Sequence, residues 1–505
     1  MSTVDHHLTS VPSGSFNVDT LSEEERQTRY RKVVRKLDCI ILPLTAALYL
    51  CAALDRGNIG NAKLQGLQDI LGGNTTAEKS THFSIALMSF YVTYILFNVP
   101  GNILATMITP NKSLALGAIV WGVASTAQAG CTSLAGIVVC RLFIGIGESA
   151  FGVAVALYYS LWYTRDQLAK RLSLYIGMGS IAGAFGGLIA YGVSFIKTSK
   201  PAHWQILFII EGLPSVILSV VIFFFLPSVP ESSKYLSTEE RAILAHFLKD
   251  PGYARKHHFD RTAFKRVFTT PTTYLNCLVY MGLSLSLGSV SGFLPTIIKS
   301  LGYSAAQAQL FTVPPYAVAF VGTLSVSFLS DRYRSRGIPI AGLAIASAVG
   351  FAILIAVPHN MAVRYFAVFP TVLGVFSVGP LMMTWATNTA GSHSAAAIRL
   401  GFMNGVGQSF SILSSFMFPA EEGPHWYKGF SLNIAFNIVM VCAALTLTTI
   451  YRRENARRDN EQLGEAAISG NPEQEKANME HIEDDEEDSP DAHLHDLSPN
   501  FRYIV

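Results

Sequence analysis

Charge is scarce in this chain. Only 14% of its 505 residues are Asp, Glu, Lys or Arg, against about 25% in an ordinary soluble domain, so a protein wetted over its whole surface is excluded. Cysteine is scarce too. Cys39, Cys51, Cys131, Cys140, Cys277 and Cys442 fall in or beside apolar stretches without paired or metal-type spacing, which excludes a disulfide framework and leaves small core residues. A nucleotide loop, a metal-ligand cluster and a nucleophile elbow are also missing. Gly145-Ile146-Gly147-Glu148-Ser149 reads as a helical run, not a strand-to-helix turn, and His257-His258 has no further ligands around it. These absences argue against an enzyme, a cofactor, a metal site or a nucleic-acid partner.

Apolar sequence is what the chain has. Half of its residues are hydrophobic and the mean hydropathy is +0.35, more than one soluble core could hide. Stretches long enough to cross a bilayer, about 20 residues each, recur at 40–62, 83–107, 114–133, 135–161, 172–196, 206–226, 271–297, 308–330, 338–357, 363–388, 396–418 and 430–451. The expected fold is therefore all-α and polytopic, with twelve transmembrane helices in two six-helix bundles. The expected divisions are a cytoplasmic segment 1–38, a first bundle 39–226, a central loop 227–270, a second bundle 271–451 and an acidic, disordered tail 452–505.

Orientation follows from where the basic residues gather near the spans. They precede the first (Arg26, Arg29, Arg31, Lys32, Arg35, Lys36), and follow the fourth (Arg165, Lys170, Arg171), the eighth (Arg332, Arg334, Arg336) and the last (Arg452, Arg453, Arg457, Arg458). Both termini are expected in the cytoplasm, with the first helix acting as its own insertion signal because no cleavable leader is visible. Leu21-Ser22-Glu23-Glu24-Glu25-Arg26 and Ser237-Thr238-Glu239-Glu240-Arg241 carry the capping-box pattern and predict short cytoplasmic helices, the first joined to the first span through an Arg/Lys-rich turn. The run Glu483-Asp484-Asp485-Glu486-Glu487-Asp488 makes the tail too polar to pack. Of the sequons at Asn74 and Asn111, only Asn74 falls on the non-cytoplasmic side.

Few ionisable residues lie within the apolar stretches. Asp55-Arg56 closes the run from Leu42 to Leu54, and Arg141 and Glu148 sit within Leu134 to Leu161. Seven residues are about two helical turns, so Arg141 and Glu148 project to one side, about 10 Å apart along the axis. Charges kept at that depth usually serve a substrate or proton path. Snorkelling to the lipid boundary is the alternative for Asp55-Arg56, and a structural ion pair between helices is the alternative for Arg141 and Glu148. Six spans, a polar loop of roughly forty residues and six more spans is the layout of a two-bundle secondary transporter with its site near the midplane.

Leu54-Asp55-Arg56-Gly57-Asn58-Ile59-Gly60-Asn61-Ala62, Arg141-Leu142-Phe143-Ile144-Gly145-Ile146-Gly147-Glu148 and Phe208-Ile209-Ile210-Glu211-Gly212-Leu213-Pro214 resemble the fungal allantoate-permease-like branch of the anion:cation symporters in the major facilitator superfamily. So do Leu329-Ser330-Asp331-Arg332 and Gly379-Pro380-Leu381 leading to Thr384-Trp385-Ala386-Thr387-Asn388. The resemblance covers about 37 to 451. It implies proton-coupled uptake of a small organic anion, such as a carboxylate vitamin or ureido acid, by a monomer in the plasma membrane. Asp55 and Glu148 match the proton-carrying acids, and Arg56 and Arg141 the anion-sensing arginines. Asn388, Asn404 and Gln408 would hold the rest of the substrate, and Asp331 and Arg332 would gate. Tyr91, Tyr94 and Tyr280 are candidates to line the cavity.

Two departures from the family pattern stand out. Asn98 replaces the usual Glu of the second span, and Thr109-Pro110-Asn111-Lys112 lacks the paired basic residues of the cytoplasmic latch. The competing function is export of a drug or secondary metabolite by proton antiport. Many such antiporters carry a proline in a glycine-rich signature of the fifth span, and Gly179 to Gly187 contains none.

Overall fold

A computed structural model describes residue 18 and residues 21–149, 151–197, 200–248, 261–390, 393–469 and 502–503. His257-His258 and the acidic run at 483–488 lie outside the described residues. The protein is all-α. Twelve principal helices follow in order: α1 Glu23–Ala62, α2 Thr76–Met107, α3 Pro110–Ala127, α4 in the pieces Leu134–Ser149 and Phe151–Ser160, α5 Arg165–Val193, α6 His203–Phe225, α7 Pro271–Ser300, α8 Val313–Arg332, α9 Gly337–Ala356, α10 Met361–Asn388, α11 His393–Ser414 and α12 Tyr427–Ser469. Ten stretches among the described residues are long and apolar enough to cross a membrane. The other two principal helices are α4, described in two pieces, and α11, which carries Arg399, Asn404 and Gln408 along its length.

The packing repeats after six helices. In the first half α1 packs on α5, α2 on α4 and α3 on α6; in the second, α7 packs on α11, α8 on α10 and α9 on α12. The pairs between the halves obey the same exchange, with α5 against α8 and α11 against α2, while α1 meets its counterpart α7. The outer surface is apolar: on α6, Ile209, Ile210, Leu213, Ile217, Val220 and Phe224 are all exposed, as a lipid-facing helix requires. The chain is a multi-pass membrane protein.

Three expectations need correction. Ser22 and Glu25 do form a capping box, but the helix they start is not a short one joined by a turn. It runs unbroken from Glu23 through Pro43 to Ala62, because the basic stretch between is itself helix-forming. The last helix likewise continues beyond residue 451 through Ser469. Nor does the whole of 452–505 lie free, since Tyr503 is docked on that extension. The capping box at Ser237 and Glu240 starts the helix Thr238–Leu248. Lys36 of α1 meets Glu240 at 2.8 Å and Arg29 meets Glu239 at 3.7 Å, which ties this linker helix to the first bundle.

The bundles touch closely at the end away from the termini. A methyl group on Gly60 of α1 would lie 2.8 Å from the carbonyl oxygen of Gly292 in α7, a backbone approach that only glycine permits. Gln309, just before α8, donates to the Asn61 carbonyl at 3.2 Å, and Gln65 reaches both Gln309 and the Ala190 carbonyl. Lys63 lies over the rings of Phe83 and Phe293, 4.4 and 5.1 Å from their centroids, one from each bundle. The Ser80 hydroxyl of α2 accepts from the Ala420 amide beyond α11 at 3.0 Å, at the same end. These contacts close the end away from the termini.

The two sequons sit at opposite ends. Asn74, between α1 and α2, is exposed beyond the seal, whereas Asn111, at the start of α3, is 7% exposed and donates to the Leu226 carbonyl at 3.2 Å. We expect sugar on Asn74 alone. Endoglycosidase treatment should shift the mobility of the wild type and not of Asn74→Gln; a shift lost only in Asn111→Gln would invert the topology.

Candidate coupling and substrate site

Four charged side chains from α1 and α4 meet inside the first bundle. Asp55 is fully buried. Its carboxylate accepts from the Ser125 hydroxyl of α3 at 2.5 Å and the Ser215 hydroxyl of α6 at 3.1 Å, with the Asn58 amide more distant at 3.4 Å. Its neighbour Arg56 points elsewhere, since adjacent helical residues are about 100° apart. The Arg56 Nε donates to the Glu148 carboxylate at 2.5 Å, and the guanidinium lies over Phe90 and Tyr94, 5.5 and 5.2 Å from their centroids. The arginine side chain is 26% exposed and the glutamate 0%, so the pair is open on the cation's side.

The Arg141 side chain is turned to α1. It is buried, and its guanidinium donates to the Asp55 carbonyl at 3.3 Å and the Asn58 side-chain oxygen at 3.1 Å. In this conformation it braces α1 at the Asp55 turn and leaves Arg56 as the accessible cation. Arg141 and Glu148 do share a face of α4, and both are turned toward α1.

Asn98 is buried against the same helix, its amide nitrogen donating to the Ser149 carbonyl at 3.1 Å. An ionised glutamate has no proton to donate, so the amide secures α2 to α4 beside Glu148 in a way the usual acid would not. Ser125, Ser215 and Asn58 escaped the sequence reading. Asn58 and Ser215 sit inside or directly after recognised motifs, but nothing local marks a serine that will face an acid from another helix. Glu211, one turn before Ser215, is 1% exposed and neither carboxyl oxygen has a hydrogen-bond partner among the described residues.

From the second bundle, the Tyr280 ring of α7 packs against α11 at Gly407, next to Gln408. Tyr91 stands edge-on to Phe90 of the same helix, ring centroids 5.1 Å apart. Gln408 is mid-helix and accepts from Ser411 at 3.1 Å, and Asn404 is one turn away, its side-chain oxygen buried and without a hydrogen-bond partner among the described residues. Asn388 is not brought to this group. It ends α10 toward the termini, whereas Asn404 lies about 16 Å along α11 from that end at 1.5 Å per residue. Asp331 pairs with Arg336 at the end of α8, while Arg332 is exposed.

The family profile described as Major Facilitator Superfamily matches residues 45–419. The chain belongs to that superfamily. Among its relatives, the MFS transporter prlL of Fungal sp. (strain NRRL 50135) is 34% identical over 471 residues, covering 90% of this chain and 93% of that one. The major facilitator-type transporter hxnP of Emericella nidulans is 30% identical, covering 91% and 92%. The fold is that of the D-xylose-proton symporter (TM-score 0.63, 15% identity, 81% of this chain and 96% of that one). It is also that of a bacterial homologue of the lysosomal transporter Spinster in an inward-facing, unoccupied conformation (TM-score 0.58, 14% identity, 85% and 96%). As a member of the superfamily the protein is a transporter, not an enzyme.

Proposed function

We propose that this transporter takes up a small organic anion together with protons, by alternating access, as a monomer in the plasma membrane with both termini cytoplasmic. It would belong to the allantoate-permease-like branch of the anion:cation symporters. The observation that carries the reading is the Arg56–Glu148 pair, in which a partly exposed guanidinium is held by a fully buried carboxylate. A proton on Glu148 removes the charge that holds Arg56. The freed guanidinium then suits a substrate carboxylate, to which it can give two parallel hydrogen bonds. Loss of the proton restores the ion pair and displaces the anion, so proton and substrate arrive and leave together.

Asp55 supplies a second proton site. The hydroxyls of Ser125 and Ser215 can donate to a carboxylate or accept from a carboxylic acid, so either state is hydrogen-bonded where it sits. Arg141 holds the α1 backbone there, Asn404 and Gln408 face the substrate from the second bundle, and Asp331 and Arg332 act at the cytoplasmic gate. Asn388 is better suited to that gate than to the substrate. With basic residues gathered at the terminus side, the end closed by Gly60 and Gly292 would face outward.

The test is reconstitution in proteoliposomes and a screen of labelled carboxylate vitamins and ureido acids under an imposed pH gradient. The expected result is concentrative uptake when the outside is acidic, collapsed by a protonophore. Accumulation only with the opposite gradient would establish proton antiport, the export reading; accumulation indifferent to the gradient would remove proton coupling.

A further inference from the structure

Arg399 is a buried cation with no ion-pair partner among the described residues. It lies near the terminus-side start of α11, 5% exposed, and among the described residues gives hydrogen bonds to neutral groups, the Thr389 carbonyl at 3.0 Å and hydroxyl at 3.1 Å. Its Nε is buried and unpartnered, and no ion pair involves it among the described residues. A cation withdrawn from water without a counter-charge is costly, so its retention calls for an anion.

Space for one is present. Arg399 lines a cavity of about 410 Å³ at the terminus side of the second bundle, together with Arg266, Thr270, Arg453, Glu454 and Tyr503, a size typical of small-ligand sites. Glu454 does not neutralise Arg399. Its carboxylate is bonded to Arg457 at 2.8 Å and Arg458 at 2.9 Å, and the bond to Arg457 is the chief reason its pKa falls to about 2. Arg453 makes no ion pair among the described residues. Tyr503 forms part of the wall, stacked on Tyr451 with centroids 4.7 Å apart. Its backbone is held by Asn455 through two 2.9 Å hydrogen bonds, one in each direction. Tyr503 thus adds one wall to a basic cavity that is open on another side.

We propose that this cavity binds a phosphate-bearing anion through Arg399 and Arg453. Phosphate offers several acceptor oxygens to guanidinium forks and threonine hydroxyls at once, and its charge at neutral pH answers that of the lining. The ligand is either the headgroup of a phosphorylated lipid or a soluble phosphomonoester, and it would fasten the helix Arg261–Thr269 to α11 and α12. This site is distinct from the coupling site and does not depend on the transport reading.

Binding to the purified full-length protein decides it, with inositol trisphosphate as the soluble probe and nanodiscs with or without phosphatidylinositol 4-phosphate as the lipid probe. The expected result is that Arg453→Gln, an exposed position whose substitution leaves the fold intact, weakens binding about tenfold. Arg399→Gln should weaken it further, Arg399→Lys should retain part of it, and Lys428→Gln at the far end should change nothing. Binding of nanodiscs alone identifies a lipid headgroup, and binding of both probes or of the soluble probe alone identifies a phosphomonoester site. Absence of binding by either probe, or binding equal in wild type and Arg453→Gln, overturns the proposal.

Discussion

Asp55→Asn and Glu148→Gln are each expected to abolish proton-driven accumulation while leaving exchange of labelled for unlabelled substrate intact. An amide mimics the protonated acid but has no proton to release within the cycle. At Glu148 the structure adds a second expected result. The neutral amide of Glu148→Gln would no longer hold Arg56 ionically, so the guanidinium that is tied at 2.5 Å in the wild type would stand free for the anion at any pH. Exchange by Glu148→Gln should therefore show a lower half-saturating concentration than wild type at alkaline pH, and one that varies less with pH. Asp55→Asn should show no such gain, because its partners are serines. The check is uptake against exchange in proteoliposomes across a pH series; concentrative uptake by both variants at the wild-type level would remove these acids from coupling and turn attention to Glu211.

Arg56→Lys is expected to lose about tenfold to a hundredfold in apparent affinity although the charge is kept. An ammonium cannot reproduce the planar fork of the guanidinium, and hydrogen bonds to charged groups are worth about 1.5–3 kcal/mol each. The side chain also lies over Phe90 and Tyr94, a stacking that favours guanidinium over ammonium. The measurement is the substrate dependence of uptake for protein quantified at the cell surface. Unchanged half-saturation would make Arg56 an anchor of α1 and not the anion's ligand.

Asp55, Arg56, Arg141 and Glu148 were legible in the sequence because a charge in an apolar run has no bland local explanation that is also inexpensive. Their partners were not. Which of two arginines faces the open side is a matter of rotation about α1 and α4, and side chains one residue apart point about 100° away from one another. The repeat of a long apolar run, twelve times with a polar interruption after the sixth, likewise announced two bundles. It gave no sign that α1 starts at Glu23 or that Tyr503 returns to α12, because a polar segment can be helical or docked without any hydrophobic period to reveal it.

Hydropathy and charge placement by themselves determined the all-α membrane fold and the four charged residues at depth, since insertion in lipid is governed by local composition, while the superfamily came from the resemblance of the motifs. Only the tertiary structure decided that Glu148 takes Arg56, that serines from α3 and α6 take Asp55, that Gly60 and Gly292 close one end, and that Arg399 is left without an ion pair among the described residues. Those outcomes depend on which helices touch and how each is turned, and contacts between residues a hundred positions apart are set by packing of the whole bundle rather than by any window of sequence.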